Sequence, residues 1–428
     1  MPVNSAQPSP SLEGTIAYLR SPQAIRDRCT QLFKLALDGQ LEYFDLDLTR
    51  LPQVADYVTD ITRHTYPDLE IPFHSRWRHF EVGGSARLNA FYRQIQSLGA
   101  DESVRAAIDL AIVSVLLDAG AGQVWHFHEA QTGQVWGRSE GLAIASFHLF
   151  CSGAFSSDPQ QPLRVDAQAL RHFSLEQLAT GFQVTEANPL VGLEGRLHLL
   201  QKLGKALERS PQLFGTAPAR PGNLVDALRA KAVPSSEADG TSTTHILKAE
   251  VILAAVLDGF SSIWPGRVVL DGVNLGDVWP HPALPQVTDG ANLVPFHKLS
   301  QWLTYSLIEP LQQAGLTVVE LDRLTGLPEY RNGGLFVDFG VLCPKQATVT
   351  QQHHAPGSSI IVEWRALTVI LLDRLAPLIR DELQLSATEL PLARVLQGGT
   401  WSAGRSIARD RRSDGSPPIQ IDSDGTVF

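Results

Sequence analysis

The choice of fold is narrowest at residues 362–383, VEWRALTVILLDRLAPLIRDEL, where apolar side chains recur at helical spacing for longer than ordinary strands run. The stretch reads as a long core helix, with Glu363 and Arg365 near its start and Pro377 placed to kink it. A charged pair at a buried helix entrance needs partners, because an unpaired buried charge is costly. In residues 296–312 a second stripe, Phe296, Leu299, Leu303, Leu307 and Leu311, predicts a buried helix face, with Lys298, Trp302 and Tyr305 elsewhere on the same helix. Residues 246–257 predict a strongly apolar helix and 194–209 an amphipathic one, while Ser21 before Pro22 reads as the cap of another that stops at Gly39. In a chain of 428 residues, 43% hydrophobic and 19% charged, such helices can close a real core. The expected fold class is mainly α with small β elements.

Residues 124–139 alternate around Thr132-Gly133 and predict a β-hairpin. A small β insert is expected over 266–280, where Asp-Gly and Leu-Gly turns break strand-like runs. Residues 210–222 and 235–244 read as loops, residues 1–20 as a flexible start, and the closing TVF as a docked strand. Residues 21–428 are therefore expected to form a single large helical unit. A net charge of −10 argues against coating nucleic acid, though not against a local basic pocket for one phosphate. Cys29, Cys151 and Cys343 lack any metal-ligand spacing and read as buried thiols in a reducing compartment. The opening MPVNSAQPSPSLEG has no apolar core, and the longest apolar runs are too short to span a membrane. The expectation is a cytoplasmic protein with no membrane or nucleic-acid partner.

Candidate chemistry concentrates in residues 324–342, LTGLPEYRNGGLFVDFGVL. Pro328 biases Leu327 away from helix, and Gly333 and Gly334 open backbone angles closed to other residues, which places Glu329 on a constrained bend. Residue types alone leave both a structural turn and an aimed carboxylate open. In WRHFEVGGSARL, residues 77–88, a Gly-Gly turn flanked by Arg78, His79 and Arg87 suits an anion or an exposed basic loop. In LLDAGAGQVW, residues 116–125, small residues between Asp118 and Trp125 suit a site wall or a helix end with a core tryptophan. His126 and His128 share a strand face, a metal spacing without a third ligand nearby, which reads equally as a polar strand face.

Together DAGAGQVW, RSEGLAIASF, FHKLSQWLTYSL, LTGLPEYRNGGLF, VEWRAL and SDGTVF resemble the family of formerly unknown function in the uracil-catabolism pathway of fungi and bacteria, over residues 22–428. Fungal members are sometimes labelled uracil phosphoribosyltransferase, yet no diphosphate loop follows a strand in this sequence. More distantly the motif order is similar to that of the queuosine-salvage N-glycosylases, whose helical fold resembles the DNA-glycosylase superfamily. The resemblance pairs that family's aspartate-to-tryptophan stretch with Asp118 to Trp125, and its phenylalanine-aromatic-lysine helix with Phe296-His297-Lys298. It pairs the Asp-Tyr-Arg motif with Glu329-Tyr330-Arg331, and the Glu-x-Arg helix start with Glu363-Trp364-Arg365. Its key carboxylate is the aspartate of Asp-Tyr-Arg, so the resemblance implies Glu329 here, one methylene longer.

Breaking an N-ribosidic bond builds positive charge on the ribose, which a fixed carboxylate beside C1′ stabilises. On this reading Glu329 is catalytic. Arg331 and Lys298 orient it or hold substrate, Trp125 and Trp302 stack on the leaving group, and Asp118 binds ribose hydroxyls or N–H donors. Tyr330, Glu363 and Arg365 complete the binding set, with Arg78, His79 and Arg87 as candidates for a 5′-phosphate. No metal or cofactor is needed. Pathway logic points to a ribosylurea-type substrate, 5′-phosphorylated, cleaved to urea and ribose phosphate. The alternatives are a non-catalytic nucleotide- or nucleoside-binding partner of the pathway's ring-opening enzyme, or phosphoribosyl transfer.

Overall fold

The computed structural model describes residues 11–84, 86–118, 120–236, 243–265, 267–286 and 290–422. It is mainly α with small β elements. At its centre lies the Ser359–Leu383 helix, buried along nearly its whole first half and packed on the Pro22–Leu37 and Leu51–Thr65 helices. The Lys298–Gln313 helix packs on Ala100–Leu116, and Tyr330–Asp338 on Trp401–Arg411. Each of these large buried side chains removes apolar area worth about 1.5–3 kcal/mol from water. One continuous apolar core therefore runs from Ile25 to Ile419.

Local signals explain several helix starts. Ser21 Oγ accepts the Ala24 amide at 3.2 Å ahead of Pro22, Asp166 accepts that of Ala169 at 3.0 Å, and Ser174 forms a reciprocal capping box with Gln177. Gly333 and Gly334 lie inside the regular Tyr330–Asp338 helix and not in a bend. Their value is close approach, since a Cβ on Gly333 would come within 2.7 Å of the Trp364 ring. Gly404 has the same role from the other side, where a Cβ would run into the Arg331 carbonyl.

Other expectations need correcting. The predicted flexible start contains a helix, Leu12–Leu19, capped by Ser11. Ile246, Leu247 and Lys248 do not open a helix; they end the Thr243–Lys248 strand, paired in parallel with Leu316–Val319, and the helix runs Ala249–Phe260. A short apolar run has no periodicity that separates strand from helix. The 210–222 loop includes the short Pro211–Phe214 helix and is pinned by Asn223 Nδ2, which donates to the Phe214 and Pro218 carbonyls. Within the β insert, Val269–Leu270 pairs with Val273–Asn274, while Val278–Pro280 pairs beyond the insert with Leu293–Pro295.

The hairpin forms as His126–Glu129 against Gln134–Gly137. Residues 237–242 of the second predicted loop and the closing TVF lie outside the described residues. Immediately before them, Gln420–Ile421 pairs in parallel with His353–His354. Among the described residues, no helix is long and apolar enough to cross a membrane.

Candidate functional site

Segments far apart in sequence meet at one cavity of about 450 Å³, and Glu329 forms part of its wall. Glu329 is the N-cap of the Tyr330–Asp338 helix, in extended backbone. Its Oε2 accepts the Arg331 amide at 2.8 Å and its Oε1 the Asn332 amide at 2.6 Å. Two orphan donors of the helix start are thereby satisfied, and both carboxylate oxygens are clamped in place. Burial raises the Glu329 carboxyl above its ordinary value, while the two amides, Lys298 and Arg331 all favour the anion.

Lys298 opens the neighbouring helix, and its backbone amide donates to Asp277 Oδ2 at 3.0 Å. Just before it His297 holds a left-handed backbone, φ 47, pinned by its ring Nε2 against the Leu19 carbonyl at 2.8 Å. A non-glycine residue persists in that region only where its surroundings over-determine it. The Lys298 ammonium is pushed below its ordinary pKa by burial, and Glu329 and Asp118 pull it back. It therefore lies in the field of both carboxylates.

Asp118 follows the Ala100–Leu116 helix and takes Arg76 Nη1 on its Oδ1 at 2.5 Å. Arg76 is wholly buried, with Nε donating to Ser114 Oγ at 2.7 Å. Burial raises the Asp118 carboxyl, and Arg76, Lys298 and Arg196 oppose it. Arg196 also donates to the Leu117 and Gly120 carbonyls, which fixes the chain on either side of Asp118.

Flat aromatic surface completes the cavity. Trp302 lies one turn beyond Lys298, Tyr330 follows Glu329, and the His79 ring stands edge-on to Trp302 at 5.7 Å and to Trp401 at 6.1 Å. Burial drives both nearby imidazoles toward neutrality. His79 is held well below its ordinary value by burial and Arg76, and His74 is lowered to about 4 by burial and Lys298.

Of the residues singled out in the sequence, Glu329, Tyr330, Arg331, Lys298, Trp302, Asp118 and His79 line this cavity. The others do not. Trp125 is a core residue at 1% exposure, its indole N–H donating to the Phe182 carbonyl at 2.9 Å, so it offers no stacking face. Arg78 is paired with Glu309 and Glu81, and Arg87 with Glu129, away from any phosphate site in the cavity. Glu363 accepts the Glu42 and Tyr43 amides at 3.3 and 3.1 Å, which pins the chain there. Arg365 makes a two-pronged bond to Asp277 at 2.8 and 2.7 Å, and through it supports Lys298. His126 and His128 are exposed on the hairpin. Among the described residues, no group of three or more His, Cys, Asp or Glu side chains could hold a metal.

Several wall residues escaped the sequence reading. Arg138 and Ser139 begin the Arg138–Cys151 helix inside a motif that carried the resemblance but had no assigned role. Asp414, Ser416, Pro417, Ile419, Gln420 and Ile421 close the cavity from the C-terminal side, anchored by Arg331 Nη1 on the Gly415 carbonyl at 2.9 Å. Asp277, which does not line the cavity but holds the Lys298 amide, had no signal beyond an Asp after a glycine turn. Burial works to raise its carboxyl, yet Arg365 holds it well below the usual carboxylate range.

Residues 18–428 match a family described as protein of unknown function (DUF1688). The chain is 39% identical to "Uracil catabolism protein 4" of Lachancea kluyveri, over 98% of this chain and 100% of that one. It is 41% identical to "Protein urg3" of Schizosaccharomyces pombe, over 97% of this chain and 99% of the relative.

Proposed function

The chain belongs to the DUF1688 family, and from that membership and the cavity around Glu329 we propose that it is a hydrolase of uracil catabolism, cleaving the N-ribosidic bond of a ribosylurea-type compound. Water adds to C1′, the C1′–N bond breaks, the departing nitrogen gains a proton, and urea and the sugar leave. The observation that carries this reading is the Glu329 carboxylate, immobilised by two backbone amides at the wall of an aromatic cavity, with Lys298 in reach of its field. Such a carboxylate need not reorganise as positive charge grows on the ribose. Each of its oxygens keeps a second lone pair for the sugar or the attacking water. Lys298, a stronger acid for its burial, is suited to donate to the leaving urea. Trp302 and Tyr330 offer faces for a planar leaving group.

The test is incubation of the protein with ribosylurea and with its 5′-phosphate, following urea and free sugar by mass spectrometry. Glu329→Gln keeps an acceptor for the helix cap and removes the charge. Urea release from the wild type that falls at least about 10³-fold in kcat in this variant is the expected result, in the range of losing a major electrostatic stabiliser. One feature favours a second reading, a binding partner of the ring-opening enzyme: both Glu329 oxygens are already used as a cap. On that reading both proteins bind the compounds and neither releases urea. Phosphoribosyl transfer predicts instead a diphosphate- and Mg²⁺-dependent activity.

A further inference from the structure

Two imidazoles in the cavity wall carry their protons on opposite nitrogens. His74 lies just before the Arg76–Phe80 helix and His79 within it, and both line the cavity. His74 Nδ1 meets Gln397 Oε1 at 3.1 Å, and Gln397 is held that way round by its Nε2, which donates to the Tyr66 hydroxyl at 3.0 Å. An amide oxygen only accepts, so the His74 proton sits on Nδ1 and Nε2 is left as an acceptor. His79 is the reverse. Its Nδ1 faces Arg76 Nη1 at 3.4 Å, and a guanidinium only donates, so the proton sits on Nε2. Burial keeps both rings neutral, helped by Lys298 at His74 and by Arg76 at His79.

Neither Nε2 has a protein partner among the described residues, and neither is an enclosed atom, unlike the indole nitrogen of Trp302. Because both rings line the cavity, one free acceptor and one free donor open onto it. They share a corner. The Trp302 ring lies 6.5 Å from that of His74, tilted by 34°, and 5.7 Å edge-on from that of His79, which feels any charge on His74. The same corner adjoins Lys298, whose charge reaches His74 on one side and Glu329 on the other. Lys298 thus stands between the carboxylate assigned to the sugar and the pair of imidazoles.

We infer that the corner made by His74, His79 and Trp302 is the leaving-group subsite, and that it selects a neutral N–C(=O)–N–H unit: His79 Nε2–H donates to the carbonyl, His74 Nε2 accepts the far N–H, and Trp302 lies against the group. This rests on the proposed N-ribosidase reading and adds which residues choose the leaving group. A carboxylate or phosphate would set an anion against the His74 lone pair, and a cationic base would meet Arg76 and Lys298. A simple amide has no far N–H and would leave the His74 acceptor dry and unmatched. His79, considered from the sequence for a phosphate, brings no charge to one and has this task instead. An open-chain ureide and a uracil ring both contain the selected unit.

Titration calorimetry of the full chain tests this with ribosylurea, ribose, uridine and N-ribosylacetamide, in which a methyl replaces the far amino group. Each is used free and as its 5′-phosphate, on Glu329→Gln so that turnover does not intrude. Ribosylurea is expected to bind at least about fivefold more tightly than the acetamide, the size of one hydrogen bond, and the acetamide more tightly than ribose. Adding His74→Leu should erase the preference for urea over acetamide, while His74→Gln, whose amide oxygen reaches the Nε2 position, should largely keep it. Adding His79→Leu should weaken both amides by a similar factor and leave ribose unchanged. A merely structural role for either ring would weaken every ligand alike, and that result overturns the inference. Equal affinity for ribosylurea and the acetamide also overturns it, as does a preference kept in His74→Leu or failure of ribosylurea to bind in either form. Uridine binding more tightly than ribosylurea, with the same dependence on both histidines, supports the subsite and gives it an intact ring as occupant; weaker binding gives it the open chain. Urea release by the chain with Glu329 intact separates the two claims. Release together with a preference indifferent to His74 and His79 removes the subsite and leaves the hydrolase. A preference that depends on them, with no urea released, removes the hydrolase and leaves the subsite.

Discussion

Two regions of this chain look alike in sequence and differ in space. The hairpin region brings Arg87, Glu129, Thr132, Trp136 and His148 together, and the cavity brings Asp118, Lys298, Trp302 and Glu329 together. At the hairpin every strong group is satisfied from within. Glu129 accepts from Arg87 at 2.7 and 2.6 Å, from Thr132 at 2.9 Å and from Trp136 at 3.3 Å, and pairs with His148 at 2.9 Å. In the cavity, Arg138, Lys298 and Arg331 stand against Asp118, Glu329 and Asp414 around open space rather than in one closed network. A closed polar network stabilises a fold, whereas an open one that faces a void has capacity for a ligand.

The contrast can be broken most forcefully at Glu129. Replacing it by Ala leaves Arg87 buried and unpaired, with an expected loss of roughly 3–5 kcal/mol in chemical denaturation. A loss under 1 kcal/mol would mean that the hairpin network is not a structural tie. Acid titration of stability should separate the regions next. Both shifts are downward, so each group favours the folded state at higher pH and withdraws that support as pH falls. His74, lowered to about 4, weakens the fold from about pH 6.5 down to 4, and Glu129, lowered to about 2, from about 4.5 down to 2. Each is worth on the order of 3 kcal/mol. Burial lowers His74 and would raise Glu129, but Arg87, His148 and Thr132 outweigh it at the carboxylate. His74→Gln should reduce the slope of the upper window without abolishing it, because His79 and His297 are lowered in the same direction, and should leave the lower window unchanged in melts recorded against pH.

A smaller effect sharpens the role of the support behind Lys298. Asp277→Asn loosens the start of the Lys298 helix and should lower kcat about 10- to 100-fold with KM changed less than about threefold, as a small misplacement of a reacting group does. A change confined to KM would instead place Asp277 in substrate binding. The mildest comparison is between the two tryptophans. Trp125→Phe loses one buried hydrogen bond, about 1 kcal/mol of stability, with KM unchanged. Trp302→Phe should raise KM severalfold with little change in melting, and the reverse pattern would exchange their roles.

Much of the helical frame was legible because caps and periodicity are local signals. Ser21, Asp166 and Ser174 each act within three residues of themselves. Glu329 was singled out by the resemblance and expected on a bend; its role as a helix cap, reaching only Arg331 and Asn332, is a local signal that the sequence reading passed over. What else escaped depends on distant partners. Asp277 meets Arg365 across 88 residues, and Arg331 meets Gly415 across 84. Trp125 was misplaced because an aromatic after small residues looks the same whether it faces a void or the Phe182 carbonyl. Ile246 to Lys248 read as helix because their strand partner, residues 316–319, lies some 70 residues later.

The most direct measurement sets the two glutamates side by side: urea release from ribosylurea 5′-phosphate by wild type, Glu329→Gln and Glu129→Gln, each at a temperature well below its own melting point. Turnover lost in Glu329→Gln and kept in Glu129→Gln, despite the latter's lower stability, is the expected result. Equal turnover in Glu329→Gln and wild type would contradict the assignment of the chemistry to this cavity.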